Sequence, residues 1–313
     1  MAQRKRLVVD CDPGTDDAHA IMMALGNDDV DLVAITTVFG NTNVEQCTQN
    51  ALRVLRLCDR SEVPVYQGCP VSLLGNPSPS SGFHGKDGMG DVQKEPGGAL
   101  PSAQKEHAAN ALLRLAKEFT GELTLVAIGP LTNIALAIQL DPLLHEKIPH
   151  LIVMGGNTTG RGNITSTAEF NFYSDPEAAA FVFRCFKGRI SLFPLELCQH
   201  YAPTTEFNGR VHSLNNPKAA FLTAMFVDVY LDEPSLVVPR FVMYDQAAVA
   251  MAISSKIAIE TMSVNATVEV TGGKTRGQMV VDWNARNGHP PNVELVTKID
   301  MDLVEALMLA AAN

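Results

Sequence analysis

The stretch Leu7-Val8-Val9-Asp10-Cys11-Asp12-Pro13-Gly14-Thr15-Asp16-Asp17-Ala18 runs from three apolar residues straight into four carboxylates. A short apolar run bounded by Pro and Gly reads as a buried strand, and Asp17–Leu25 beyond it reads as a helix. The acids therefore gather where a strand ends and a helix begins. Carboxylates this crowded raise one another's proton affinity unless a cation or a polar ligand compensates them, so the stretch points to a metal or a hydroxyl-rich ligand. The plain structural alternative is helix capping, with Asp16 and Asp17 favoured by the positive end of the following helix. Capping accounts for two of the acids and leaves Asp10 and Asp12 unexplained.

Outward from this point the chain repeats a strand-then-helix rhythm. Leu7–Asp10 is followed by Leu32–Val38 as strand and by Val44–Leu57, whose apolar residues fall at helical spacing. Ala108–Phe119 and Asn133–Leu140 read as helices, Leu123–Ile128 and Leu151–Met154 as buried strands. Asp175–Phe186, led by Ser174 as a cap, and Ile190–Phe193 continue the alternation. Past Ser254 strand-like hairpins are expected around Ala266–Val270 and Gln278–Val281, then a closing helix near Leu303–Ala311. The pattern predicts an α/β fold, an open and mostly parallel Rossmann-like sheet flanked by helices with small C-terminal hairpins. With no internal repeat and no dividing linker, residues 1–313 are expected to form a single domain.

The chain has 313 residues, 46% of them hydrophobic, enough for one large core. Its net charge of −10 argues against a nucleic-acid partner, and Arg4-Lys5-Arg6 reads as a solvated basic tip. Six cysteines without a Cys-x-x-Cys pair suit a reducing compartment. No apolar run reaches membrane-spanning length, and Asp10 interrupts the only N-terminal apolar segment, so no membrane association and a cytoplasmic location are expected. The Gly-, Pro- and Ser-rich segment Gln67–Glu106 is long for a simple connection and reads as a lid, a binding loop or disorder.

In open parallel sheets a ligand lies beyond the carboxyl ends of the strands. Asp10 and Asp12, Phe39-Gly40-Asn41, Gly129-Pro130-Leu131-Thr132-Asn133 and Gly155-Gly156-Asn157 each follow a predicted strand and fall at that rim. Asp10–Ala18 resembles the Asp-x-Asp-Pro-Gly-x-Asp-Asp-Ala motif of the inosine-uridine nucleoside hydrolase family. The likeness extends through Gly40-Asn41, His84-Gly85, Gly129–Asn133, Gly155-Gly156-Asn157, the stretch from Asn163 to Asn171, Asp175-Pro176-Glu177-Ala178 and Tyr244-Asp245, nearly the whole chain.

The resemblance implies hydrolysis of the bond between a ribose and its base, with one bound Ca²⁺. By it, Asp12 both holds the metal and acts as general base on water, Asp17 and Asp245 are further carboxylate ligands, and the Ile128 carbonyl supplies a backbone oxygen. Asp16, Asn41, Asn163, Glu169 and Asn171 would hold the ribose, and Phe170 would form a wall of the pocket. It also implies a homo-oligomer, a dimer or tetramer, acting on small-molecule nucleosides. The residue types suit the chemistry, because an N-glycosidic bond breaks through an oxocarbenium-like state that carboxylates stabilise more than the neutral ground state.

One position departs from the family pattern. Tyr244 stands before the metal-binding Asp245 where many members have His, and Tyr is a weak acid, with an ordinary pKa of about 10. Leaving-group assistance then falls to His84, brought in by its Gly-rich segment, or to a hydrogen bond from Tyr244, or base preference shifts.

Each residue has a plainer reading. Asp245 can cap the helix starting at Gln246, Asn163, Glu169 and Asn171 can belong to a solvated loop, and His84 can be a surface histidine. His19 reads as a satisfied core histidine, and Met22-Met23 as core. Two other functions compete. Asp-x-Asp after a strand also opens haloacid-dehalogenase-like phosphatases, but Pro13-Gly14 intervenes here and an acid-lined pocket repels phosphate. The second is a nucleoside or ribose binder without catalysis.

Overall fold

The computed structural model of the chain describes residues 4–77, 79, 82–92, 99–231 and 243–313. The element order is β1 (Lys5–Cys11), α1 (Thr15–Leu25), β2 (Val30–Thr37), α2 (Val44–Leu57), β3 (Val65–Gln67), α3 (Ala108–Glu118), β4 (Leu123–Ala127), α4 (Thr132–Leu140), α5 (Leu144–Lys147) and β5 (His150–Met154). It continues through α6 (Phe170–Ser174), α7 (Pro176–Cys185), β6 (Arg189–Phe193), α8 (Leu195–His200), α9 (Thr205–Ser213), α10 (Pro217–Leu231), α11 (Asp245–Ile253), β7 (Ala258–Val268), β8 (Met279–Asp282), β9 (Val293–Ile299) and α12 (Met301–Ala311).

The strands form one sheet in the order β3-β2-β1-β4-β5-β6-β9-β7-β8. From β3 to β9 all pairings are parallel, and β7 runs antiparallel to both β9 and β8. Burial of β1 on both faces explains its unbroken apolar run. Leu7 and Val9 join one core with α1, α11 and α12, while Val8 joins the other with α3, α4 and α7. Chain order reverses between β1 and β4, so the loops after these two strands part to opposite sides and leave a crevice at their carboxyl ends.

Most predicted elements stand within two residues of their expected bounds. Val44–Leu57 agrees at both ends because Asn43 caps it by accepting the Gln46 N–H. Ser174 is not the cap of the following helix. The Asp175 carboxylate accepts the Ala178 N–H at 3.0 Å, with Pro176 in the first turn, and the Ser174 hydroxyl donates back to Phe170. The C-terminal hairpin β7–β8 is longer than expected on its first strand. Through β9, a strand the periodicity did not signal, β7 joins the main sheet instead of standing apart. Among the described residues no helix is long and apolar enough to cross a membrane.

Within Gln67–Glu106, residues 78, 80–81 and 93–98 lie outside the described part. Residues 72–76 and 82–90 form hydrogen-bonded turns, Gln104 pairs with Tyr66 in a parallel bridge, and residues 82–92 fold back to the rim beside Pro13.

Candidate active site

At the crevice the Asp12 carboxylate lies between two glycines. A Cβ on Gly40, after β2, would stand 1.9 Å from Asp12 Oδ2, and one on Gly129, after β4, would stand 2.6 Å from Oδ1. Only residues without a side chain permit this approach. Oδ2 accepts the Asn41 N–H at 2.7 Å, whereas Oδ1 is buried without a hydrogen-bond partner. Asp17, in the first turn of α1, accepts from Gly14 N–H at 2.9 Å and Asp12 N–H at 3.3 Å, so it closes the helix start as the capping reading expected. Its second neighbour is the Asn41 side-chain amide, which donates to Asp17 Oδ2 at 3.3 Å and to the Asp12 carbonyl at 3.1 Å.

Asp245 arrives from the first turn of α11, following Tyr244. Carboxylate oxygens of Asp16, Asp17 and Asp245 all lie within 4.8 Å of one another, and all three residues are buried. The structure thus draws Asp16 into the tight group, while Asp12 stands beside it in its glycine cradle. Burial is the first cause of raised proton affinity at Asp17, Asp12 and Asp245. It pushes Asp17 up to about 7, assisted by the charge of Asp16, and holds Asp12 and Asp245 well above the usual carboxylate range, with neighbouring Asp charges adding to the effect. Asp10, the first acid of the motif, lies deeper. Thr36 Oγ1 and Asn133 Nδ2 donate to it at 2.5 and 2.8 Å, tying β1 to β2 and α4, and burial raises it to about 7.

Asp16 and Asp245 of this group border a cavity of about 170 Å³, which limits an occupant to a small molecule. Asp16, Asn41 and Asp245 line it, as does Ile128 directly after β4. Asn163, Glu169, Phe170, Asn171, His84 and Tyr244 line it as well. Every predicted site residue except Asp12 and Asp17 lines the cavity, and those two bond to Asn41 of the lining.

Glu169 has a second engagement that its sequence position did not disclose. Its carboxylate accepts N–H bonds from Gly156, Asn171 and Phe172 at 2.8, 2.8 and 3.1 Å, so it caps α6 and fastens the Gly155-Gly156 turn. Burial raises it to about 7 despite those donors. Asn171 Nδ2 donates to the Ile128 carbonyl at 3.0 Å, which links α6 to the backbone oxygen expected at the metal. Asn163 Oδ1 accepts the Phe170 N–H at 2.9 Å.

His84 is no surface histidine. It is buried, its Nδ1 accepts from Thr15 N–H at 3.3 Å and pairs with Thr15 Oγ1 at 2.9 Å, and its Nε2 stands 3.8 Å from Asp16 Oδ1. A backbone N–H aimed at Nδ1 places the ring proton on Nε2, facing Asp16. Burial lowers the pKa of His84 and outweighs the pull of Asp16, so the ring is a neutral donor near pH 7. Burial also pushes the Tyr244 phenol upward, which keeps its hydroxyl protonated.

Three apolar lining residues escaped the sequence reading. Phe83 packs edge-on against His84, with centroids 4.9 Å apart, and Met154 and Ile164 complete the apolar wall. Met154 ends a buried strand and is indistinguishable there from core. The available signal was Phe83, an aromatic residue inside a polar, Gly-rich segment.

Comparison with known proteins agrees with this geometry. The family model described as inosine-uridine preferring nucleoside hydrolase matches residues 7–306. The chain is 33% identical to the inosine-uridine preferring nucleoside hydrolase of Crithidia fasciculata over 98% of its own length and 97% of the relative's. It is 33% identical to a pyrimidine-specific ribonucleoside hydrolase of Escherichia coli, over 94% of each chain. Among solved structures, an inosine-guanosine nucleoside hydrolase superposes with a TM-score of 0.91 at 30% identity, covering 99% of both chains. A purine-preferring ribonucleoside hydrolase from Gardnerella vaginalis gives 0.90 at 28% identity, covering 98% of both. From its motif, its sheet order and these full-length matches, the protein belongs to the inosine-uridine preferring nucleoside hydrolase family.

Proposed function

We propose that this enzyme hydrolyses the N-glycosidic bond of ribonucleosides in a Ca²⁺-loaded site in which Asp12 is the general base. The family membership carries the reaction class. The observation that carries the residue assignment is the Asp12 carboxylate, cradled by Gly40 and Gly129 with Oδ1 buried and without a hydrogen-bond partner beside three further acids.

The donor set fits a divalent cation. Asp17 and Asp245 supply carboxylate oxygens within the close cluster, Asp12 supplies its free Oδ1, and Ile128 a carbonyl at the end of β4. An all-oxygen set rich in carboxylates suits a hard ion such as Ca²⁺, and a bound ion would compensate charges that otherwise force protonation. When bound, the ion lowers the pKa of water beside it.

Asp12 then accepts the proton of the attacking water, oriented by the Asn41 N–H on its other oxygen. General-base assistance of this kind is worth on the order of a hundredfold to ten-thousandfold. Asp16, Asn41, Asn163, Glu169 and Asn171 hold the ribose hydroxyls, and the surrounding carboxylates favour the positive charge that develops on the sugar. Phe170 and Phe83 offer ring faces and edges to the base. His84 Nε2–H and the Tyr244 hydroxyl are both neutral donors, so they assist the leaving group or the ribose by hydrogen bonding more than by full proton transfer. The acidic lining favours uncharged nucleosides over nucleotides.

The continuous sheet supports one catalytic domain spanning the chain. A cytoplasmic location and a homo-oligomer, a dimer or tetramer, complete the proposal. The test is release of free ribose from a panel of purine and pyrimidine nucleosides, with and without a calcium chelator. Hydrolysis lost on chelation and regained with Ca²⁺ supports the reading. Ligand retention without ribose release would instead identify a binder.

A further inference from the structure

None of the residues of α2 lines the cavity, yet two of its buried side chains connect the Pro13 turn, which leads into Asp16 of the lining, with the 82–92 turn, which carries Phe83 and His84 of the lining. Asn50, fully buried, donates through Nδ2 to the Pro13 carbonyl at 2.9 Å and to the Asp87 carbonyl at 2.8 Å. Arg53, one turn on and also buried, donates from Nη1 to Asn50 Oδ1 at 3.1 Å and to Asp87 Oδ2 at 2.9 Å, and from Nη2 to the Val92 carbonyl at 3.2 Å.

Asp87 passes this hold to the rest of its turn. Its Oδ1 accepts from Met89 and Asp91 N–H at 2.7 and 2.9 Å, and the Asp91 carboxylate accepts in return from Lys86 and Asp87 N–H at 2.9 Å each. Gly90 N–H then donates to the His84 carbonyl at 2.9 Å. Gly88, at φ +79°, lets the turn lie against the clamp, since a Cβ there would stand 3.1 Å from Asn50 Nδ2. A continuous chain of bonds runs from Arg53 through Asp87 to His84, while Asn50 fixes the same turn to Pro13, next to the acids.

We propose that Asn50 and Arg53 are positioning residues, which hold the 82–92 turn against the Pro13 turn so that His84 and Phe83 are set over the cavity before substrate arrives. The inference rests on the reading of this cavity as the nucleoside site. Its physical basis is twofold. A buried guanidinium is tolerated only while its carboxylate partner stays in place, so Arg53 and Asp87 hold each other. Ordering the turn in advance removes an entropic cost that binding would otherwise bear, so loosening it weakens capture more than chemistry.

The test combines kinetics with amide exchange on the full chain. Arg53→Ala should raise KM for a hydrolysed nucleoside by about tenfold or more while kcat changes less than about threefold. Amides of residues 84–91 should exchange about tenfold faster while those of β1 and β4 stay as in the wild type. Arg53→Lys, which keeps the charge, should recover part of the KM. In a Phe83→Ala/His84→Ala background Arg53→Ala should add less than about twofold to the loss in kcat/KM, because the residue acts through these two side chains of the turn. Unchanged exchange in residues 84–91 overturns the clamp, and so does an equal KM penalty with and without the Phe83 and His84 side chains, which would mark Arg53 as supporting the fold generally. Should the wild type hydrolyse no nucleoside, the reading of the cavity fails, and the exchange measurement still decides whether Arg53 orders the turn.

Discussion

Asn41 holds Asp12 at both ends: its backbone N–H donates to the carboxylate Oδ2 at 2.7 Å and its side-chain amide to the Asp12 carbonyl at 3.1 Å. The residue after β2 thereby fixes the carboxylate after β1, leaving Oδ1 as the oxygen available to a ligand. Its geometry is set by neighbouring strands, so substitutions at Asp12 change chemistry with little change in architecture.

Asp12→Asn keeps the size of the side chain and removes the base. Turnover of a nucleoside should fall by about a hundredfold to ten-thousandfold, with an unchanged circular dichroism spectrum. A variant with near-normal turnover removes Asp12 from the proposed role.

The raised proton affinities predict how pH and Ca²⁺ act together on stability. Asp17 titrates at about 7 in the folded, metal-free protein against an ordinary value of about 3.9. The folded state therefore holds the extra proton, and the associated stability is fully present below about pH 4 and lost as pH rises through about 7. Asp12 and Asp245 shift in the same direction. His19 and His150, lowered by burial to about 4, act oppositely as pH falls below about 6.5. The difference in Tm with and without Ca²⁺ isolates the acids, and it should grow from pH 5 to pH 7. A Ca²⁺ effect that is flat or shrinking over this range contradicts their role as ligands.

At Tyr244, replacement by Phe deletes only the hydroxyl, which burial keeps protonated. A severalfold loss in kcat is expected, on the scale of one neutral hydrogen bond. Steady-state kinetics with purine and pyrimidine nucleosides decides it, and identical parameters for both exclude any part for the hydroxyl.

Glu169→Gln should cost stability as well as affinity. The carboxylate accepts three backbone N–H groups, and the amide offers one oxygen in place of two, so about 1–3 kcal/mol is expected to be lost in urea unfolding. Unaltered stability would mean that α6 and the Gly155-Gly156 turn are held by other contacts.

Much of this protein was legible in order along the chain. Leu7–Val9 followed by Asp10–Ala18 specifies a buried strand ending in acids, because strand burial and the Pro-Gly turn are local properties. The parallel sheet, the rim positions of Gly40-Asn41 and Gly129, and most of the residues around the cavity follow from the same alternation and from the family likeness. Tertiary structure alone decided which acids meet: Asp16 joins Asp17 and Asp245, Asp12 stands between Gly40 and Gly129, and Asp10 withdraws to fasten β1 to Thr36 and Asn133. It also decided that Glu169 caps a helix while lining the cavity, and that Arg53 grips Asp87. Such pairings depend on how separate strands and helices pack, and a side chain's sequence neighbours carry no record of the partner that packing brings to it.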